Sequence, residues 1–291
     1  MPSSRWVEGV AVERPGRMSP AFARWALRWL DPVVRVLWRP TLEGEANLPA
    51  TGPFLLVANH SAGLGVAEIL SVGLLWLRRV GVDRPLAGYA HPIGFRLFPL
   101  TAFLRAVGAI PSTYDAAERA LAAGAPILMF PGGDHETLRP LHHAHRVDFG
   151  GRVGFLRIAR AAGVPVVPLG IRGGHFTAPV LVRSRLLATL LVAPRLGGVK
   201  RWGVSLLGLV GAAAIVALVP ASPAVRALLV WLWLGSPLVF LPWVPWTLRL
   251  CIGAPIAAAD LFPAALCDGT DADLKRALAR VQAAVQALVD G

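Results

Sequence analysis

Along the first 170 positions, short continuous apolar runs alternate with stretches of helical periodicity. Thr41 to Val57 has strand and turn character and closes on the run Phe54-Leu55-Leu56-Val57. A helix follows over Val66 to Arg79, then a strand at Arg84 to Ala90 and a helix around Gly94 to Leu104. Ala109-Ile110 reads as a short strand, 115–123 as a helix, and Ala125 to Phe130 as a buried strand. A long polar loop over 131–150 leads to a helix at Gly154 to Ala162 and a strand at Val164 to Ile171. Strands that alternate with helices predict an α/β fold, a mostly parallel sheet flanked by helices. The loops after the strand ends are where such sheets place their sites.

The two ends of the pattern differ in kind. In and just after residues 20–38 (PAFARWALRWLDPVVRVLW) the arginines at 24, 28, 35 and 39 keep close to one helical stripe, with Trp25 and Trp29 beside it. This is the pattern of a basic amphipathic helix in a headgroup layer, kinked at Asp31-Pro32; a helix packed on the domain with its arginines in water is the plainer alternative. From 202 to 248 the only charged residue is Arg226. Trp202 to Val219 is an 18-residue apolar or small-residue run, at the lower limit for a spanning helix. The glycines and prolines that follow favour a hydrophobic hairpin in one leaflet, with a buried core hairpin as the alternative. The tail from Asp271 to Leu288 is an amphipathic helix that calls for no special function. Four segments result: an interfacial helix (1–40), a catalytic core (41–200), a membrane-associated hairpin (201–248), and a strand and helix that complete the core (249–291).

Composition sharpens the membrane reading. Hydrophobic residues make up 55% of the 291 and charged residues 16%, with a mean hydropathy of +0.57. Soluble domains carry about a quarter charged residues, so there is apolar surface to spare. The net charge of +12 suits anionic headgroups, phosphate-bearing substrates or nucleic acid. Ten tryptophans against two tyrosines favour lipid, and no recognition module for nucleic acid is present. Cys251 and Cys267 have neither metal-ligand nor redox spacing and point to a reducing compartment. With no apolar leader in the first 20 residues, the chemistry is expected on the cytoplasmic face of the inner membrane.

Three patches, each after an expected strand, carry candidate chemistry. VANHSAGLGVAE (57–68) places Asn59, His60 and Ser61 in a glycine-containing loop, with Glu68 as a carboxylate able to hold the imidazole. FPGGDHETLRP (130–140) offers close backbone approach at Pro131, Gly132 and Gly133, with Glu136 and Arg139 as polar groups. In VDFGGRVGFLRIARAAGVPVVPLGI (147–171), Arg152 begins a helix leading into a proline-bracketed strand. His91, His142, His143 and His145 match no metal spacing, and no metal is expected. Singly, each patch reads as a turn plus packing.

In this order they resemble the lysophospholipid acyltransferase superfamily, whose mark is Asn-His followed by an acidic residue. The likeness runs from about Arg39 to Ile171 and is nearest to bacterial members and the diacylglycerol acyltransferase type. It includes a Gly-Gly-x-x-Glu element (Gly132, Gly133, Glu136) and an Arg-x-Gly-Phe helix (Arg152, Gly154, Phe155). LRAVGAIPSTYDAAERAL (104–121) is similar to the second motif and VPVVPLGI (164–171) to the fourth. The resemblance implies direct transfer from an acyl-CoA or acyl-carrier-protein co-substrate to a lipid hydroxyl. His60 is then the general base, and no bound cofactor and neither cysteine is required. Asn59, Ser61, Pro131, Gly132, Gly133 and Glu136 would line the substrate pocket, with Arg139 or Arg152 meeting phosphate.

Two departures bear on the acceptor and one on the base. The usual phosphate-binding arginine near position 113 is Thr113, and the usual Pro-Glu-Gly is Pro131-Gly132-Gly133; both favour a neutral or larger lipid hydroxyl. The usual aspartate five positions after the histidine is Gly65, whereas Glu68 stands eight positions after it. If Glu68 faced elsewhere, the chain would be a catalytically impaired lipid-binding scaffold.

Overall fold

The computed structural model of the protein describes residues 14–61, 63–196, 198–263 and 270–291. Cys267 and the first 13 positions, on which part of the compartment reading rests, lie outside the described residues.

The chain enters through α1 (Pro20–Trp25) and α2 (Asp31–Leu37), joined by a π turn over Ala26–Leu30. Pro32 has no N–H to offer the preceding turn, and the wider turn lies just before it; the Asp31 N–H reaches the Ala26 carbonyl, five residues back. Ala23, Ala26 and Val34 face inward, whereas Trp25, Trp29, Val33 and Val36 are exposed. Large apolar side chains thus share the outward face with Arg24, Arg28 and Arg35.

Strands β1 (Thr41–Glu43) and β2 (Leu55–Ala58) lead to α3 (Val66–Arg79), with the bounds the periodicity predicts. Next come β3 (Ala87–Ala90), α4 (Leu100–Ala106), β4 (Ile110–Pro111), α5 (Tyr114–Ala122) and β5 (Ile127–Met129). The helix expected around Gly94 is a 3-10 turn over Pro92–Arg96, and α4 begins only after Pro99. The expected loop over 131–150 holds a short helix, α6 (Asp134–Thr137). Then follow α7 (Gly154–Ala162), β6 (Val166–Arg172) and α8 (Gly174–Thr177).

Seven strands form the main sheet in the order β1-β9-β6-β2-β5-β3-β4, where β9 is Arg249–Ile252. Neighbours pair in parallel except β6 with β9. Both faces of the centre are covered, as parallel sheets require. Leu55, Val57, Ile127, Met129 and Val166 pack under α5, α7 and a 20-residue C-terminal helix through Val281, Val285 and Val289. Leu56, Ala58, Leu128, Val167 and Leu169 face the other way, onto α1, α2 and α3. The period-two alternation within β2 and β6 sends successive side chains to opposite layers.

The segment after β6 departs most from the sequence reading. β7 (Val180–Ser184) and β8 (Trp202–Ser205) form a separate two-stranded antiparallel sheet, with α9 (Arg185–Leu190) and α10 (Ala193–Leu196) between them. The apolar run from Trp202 therefore begins as a strand, and its helix α11 is only Leu206–Leu218. It turns back at Pro220 into α12 (Pro223–Gly235). Among the described residues no helix is long and apolar enough to cross a membrane. After β9, α13 (Ala258–Leu261) precedes α14 (Asp271–Asp290), which lies on β6 with Gly170 against Leu288.

Candidate functional site

The C-terminal ends of three adjacent strands, β6, β2 and β5, converge. β2 runs straight into Asn59-His60. The Asn59 carboxamide donates to the Ile171 carbonyl (2.8 Å) and accepts from the Ile171 N–H (2.7 Å). It therefore continues the β2–β6 pairing one residue past the strand and fixes where His60 begins.

His60 turns its ring back over the loop that enters α3. Its Nδ1 lies 2.5 Å from Glu68 Oε2, and both residues are buried. Glu68 is the third residue of α3, beside unpaired N–H groups and the positive end of the helix dipole. Its carboxylate also accepts from the Ser61 N–H (2.9 Å) and hydroxyl (2.5 Å). Burying a carboxylate costs several kcal/mol, and three donors at about 1.5–3 kcal/mol each offset that. With Nδ1–H donated to Glu68, Nε2 keeps its lone pair.

Gly65 is the reason for this arrangement. A Cβ there would lie 1.7 Å from His60 Cε1 and 2.4 Å from Nε2. Leu64 and Gly65 are both left-handed (φ 54° and 70°), which turns the backbone under the ring. Strain at Leu64, a branched residue, is of the kind stored at functional sites. On its other face the ring stacks on Phe130 at 4.2 Å. Gly174 at the start of α8 backs the dyad; a Cβ there would reach within 2.4 Å of Glu68 Oε1.

The 131–150 segment supports the histidine from β5. Glu136 Oε2 accepts the His60 backbone N–H at 3.0 Å, and Oε1 accepts from Asp148 N (2.9 Å) and Arg139 Nη2 (3.2 Å). Burial pushes the Glu136 carboxyl up to about 7, against those donors and the Arg139 and His60 charges. Gly132 must be glycine, since its Cβ would sit 2.1 Å from Glu136 Oε2. Arg139 corrects the sequence reading. It is buried, and its guanidinium is taken up by Glu136 and the Arg146 and Asp148 carbonyls, so it positions Glu136 and is closed to a phosphate. Arg152 is accessible, but it clamps the glycine loop by donating to the Pro131 (3.3 Å) and Gly132 (2.8 Å) carbonyls and to Asp134. Pro131 and Gly133 (φ 43°) shape that loop.

Other participants were not expected. Gln282 and Gln286, one turn apart on α14, accept the Phe149 (3.0 Å) and Val147 (2.7 Å) N–H groups and so hold the loop bearing Asp148. The tail helix thus shapes the site after all, and glutamines at i and i+4 on an otherwise apolar face were the available signal. His175, after Gly173-Gly174 at the β6 end, is buried, and burial pushes it down to about 3, so it is neutral. Its strand–glycine–histidine context was readable. Among the described residues no group of His, Cys, Asp or Glu is placed to hold a metal ion.

Residues 39–172 match the family described as Acyltransferase. The matched stretch is a little under half of the chain. An uncharacterized protein of Mycobacterium leprae (strain TN) is 31% identical over 157 residues, 54% of this chain and 42% of that protein. The chain thus matches less than half the length of that relative. Phytyl ester synthase 2, chloroplastic, of Arabidopsis thaliana is 29% identical over 50% of this chain and 20% of its own. The crystal structure of the 1-acyl-sn-glycerophosphate (LPA) acyltransferase PlsC from Thermotoga maritima aligns over 92% of this chain and 77% of its own. The identity is 18% and the TM-score 0.46. The family stretch contains His60, Glu68, Glu136 and Arg152.

A raised folded-state pKa at Glu136 contributes stability that is full below about 4.5 and lost as pH rises toward about 7. Urea unfolding at pH 5, 6, 7 and 8 is therefore expected to show wild type losing stability relative to Glu136→Gln. The difference should grow by up to about 1.4 kcal/mol per pH unit across that window; parallel profiles would contradict the assignment.

Proposed function

We propose that the protein transfers a fatty acyl group from a thioester donor to the hydroxyl of a glycerolipid or other lipid alcohol, with His60 as general base. The observation that carries this reading is the 2.5 Å contact of His60 Nδ1 with Glu68. Nε2 takes the proton of the acceptor hydroxyl as its oxygen attacks the thioester carbonyl. N–H groups of the surrounding loops stabilise the tetrahedral oxyanion. The intermediate collapses, the C–S bond breaks, and the imidazolium returns its proton to the leaving thiolate; an ester and a free thiol result. No cofactor enters, and the donor is acyl-CoA or an acyl carrier protein. The lipid-binding alternative rested on the missing acid at position 65, and the Glu68 contact removes its main support. The match of residues 39–172 to the Acyltransferase family supports the reaction class. The names of the phytyl ester synthases, with Thr113 and Gly132 in the places of charged residues, support a neutral alcohol among the acceptors.

Membrane attachment belongs to the same proposal, with the reaction at the cytoplasmic face. α11 and α12 are 13 residues each, about 20 Å long, against a hydrocarbon core of about 30 Å. They pack on each other, tied by Trp233 Nε1 donating to the Gly208 carbonyl at 2.9 Å, while Leu218 (78% exposed), Val216, Leu228 and Leu232 face outward. Helices apolar all round belong in a core or in lipid. A hairpin of this length suits one leaflet, with α1 and α2 along the headgroups.

His60→Ala and Glu68→Ala are each expected to lower palmitoyl transfer, measured as thiol release over a panel of lipid alcohols, by about 100-fold or more. Placing the acid at the family's usual position in a Glu68→Ala/Gly65→Asp variant is expected to recover nothing, because the new Cβ meets the His60 ring; recovery would overturn the role given to Glu68. For the hairpin, Leu218→Glu/Leu228→Glu is expected to cut binding to phosphatidylglycerol-containing vesicles by about 10-fold or more without shifting the thermal midpoint. Undiminished binding would place the attachment elsewhere.

A further inference from the structure

The sequence reading gave phosphate recognition to Arg139 or Arg152, and the structure engages both in holding the loop. The charge around α6 is nevertheless unbalanced. Arg152 is paired with Asp134, Arg139 with Glu136, and His135 with Asp148. Two further guanidiniums come from the small sheet. β7 and β8 pair Arg183 with Gly203 and Ser184 with Trp202, which brings Arg201 beside Arg183. Both are half-buried, and among the described residues neither has an ion pair with a carboxylate.

Their hydrogen bonds fix where they sit. Arg183 Nη1 donates to the His135 carbonyl at 2.5 Å, and Arg201 Nη1 lies 3.0 Å from His135 Nδ1. A guanidinium only donates, so Nδ1 accepts, and the ring proton is on Nε2, given to Asp148 at 2.9 Å. His135 is therefore a neutral bracket between Arg201 and Asp148. Hydrogen bonds from His135 and the Gly150 N–H, with the charge of Arg139, outweigh burial and hold the Asp148 carboxyl below its usual range. Each arginine spends one of its five donors on His135 and keeps most of its fork. Burial and the charges of Arg201 and Arg139 pull the Arg183 pKa down, against the opposing charges of Asp134 and Asp148. Against the four arginines stand Asp134, an Asp148 held below its usual range, and a Glu136 pushed up to about 7.

We propose that Arg183 and Arg201, bracketed on His135, form an anion site for a phosphate group of one of the two substrates, beside the short helix whose next residue, Glu136, holds His60. The chemistry recognised is a phosphate mono- or diester, met by paired guanidinium forks. It comes from a coenzyme A donor or from a phosphorylated lipid acceptor. The choice of ligand rests on the acyl-transfer reading; the anion site itself does not.

Binding tests it apart from catalysis. Detergent-purified full-length protein is titrated calorimetrically with coenzyme A, lysophosphatidic acid and, as the uncharged control, monoacylglycerol. Wild type is compared with Arg183→Gln, Arg201→Gln and the double variant, with thermal midpoints recorded. Each single variant is expected to weaken one phosphate ligand by about 10-fold or more while monoacylglycerol binds as before. Loss confined to coenzyme A assigns the site to the donor, and loss confined to lysophosphatidic acid assigns it to the acceptor. Unchanged affinity for both phosphate ligands in the double variant overturns the site. If Arg201→Gln disturbs the fold through His135, Arg183→Lys decides: it keeps the charge, loses the fork, and must weaken phosphate binding by about 3-fold or more. Thiol release assayed in parallel separates the two readings. A wild type with no turnover whose phosphate binding depends on Arg183 keeps the anion site and loses the enzyme. Turnover with phosphate binding indifferent to Arg183 does the reverse.

Discussion

The His60 ring lies on the backbone of Gly65 with no room for a Cβ between them, and much of the site follows from that contact. Because the ring occupies the space above position 65, no side chain there can serve as its partner. The loop must pass beneath through two left-handed residues before α3 begins, and the first carboxylate able to return to Nδ1 is on the first turn of that helix. Glu68 is one methylene longer than aspartate, and its place at the helix N-terminus brings it beside the Ser61 N–H and hydroxyl as well as the imidazole. A spacing of eight is thus a different path of the loop to the same pair of groups.

The rest of the fold keeps that contact in register. Asn59 extends the β2–β6 pairing to the residue before the histidine, and Glu136 takes the histidine's own N–H. Glu136 is held in turn by Arg139 and by the Asp148 N–H, and the loop bearing Asp148 hangs from two glutamines of α14. The chain's last helix therefore reaches the site through three successive hydrogen-bonded steps. A buried Arg–Glu pair of this kind adds little net stability when intact, but removing one partner costs about 3–5 kcal/mol. Its value here is placement: it fixes a backbone N–H at the head of the loop that carries His60.

Where the arrangement is local, it was legible in the sequence. Strand-end positions, the Val66–Arg79 helix and the Asn59-His60 patch follow from periodicity over a few residues, and Glu68 could be chosen by counting. Features that depend on distant pairing were not legible. Arg139 looked like a free cation because nothing in the local pattern says that the Arg146 and Asp148 carbonyls fold back onto it. The apolar run from Trp202 read as one long segment because four strand residues and a helix share the same composition, and only pairing with β7 separates them. The cluster at Arg183, Arg201 and His135 joins residues 48 and 66 positions apart, a distance over which a single sequence shows no periodic signal. The α14 glutamines carry no charge and follow an ordinary helical spacing, so their reach across more than 130 residues was equally silent.

The central claim is that the His60 ring is held by Glu68 because Gly65 lets it lie where it does. Proton NMR of the imidazole N–H groups tests it most directly. The His60 Nδ1 proton, shared with a buried carboxylate at 2.5 Å, is expected as a strongly deshielded, slowly exchanging resonance. It should be absent from Glu68→Gln and from Gly65→Ala and retained in a variant that alters only Arg139. A resonance that persists in Glu68→Gln, or that wild type never shows, would contradict the account.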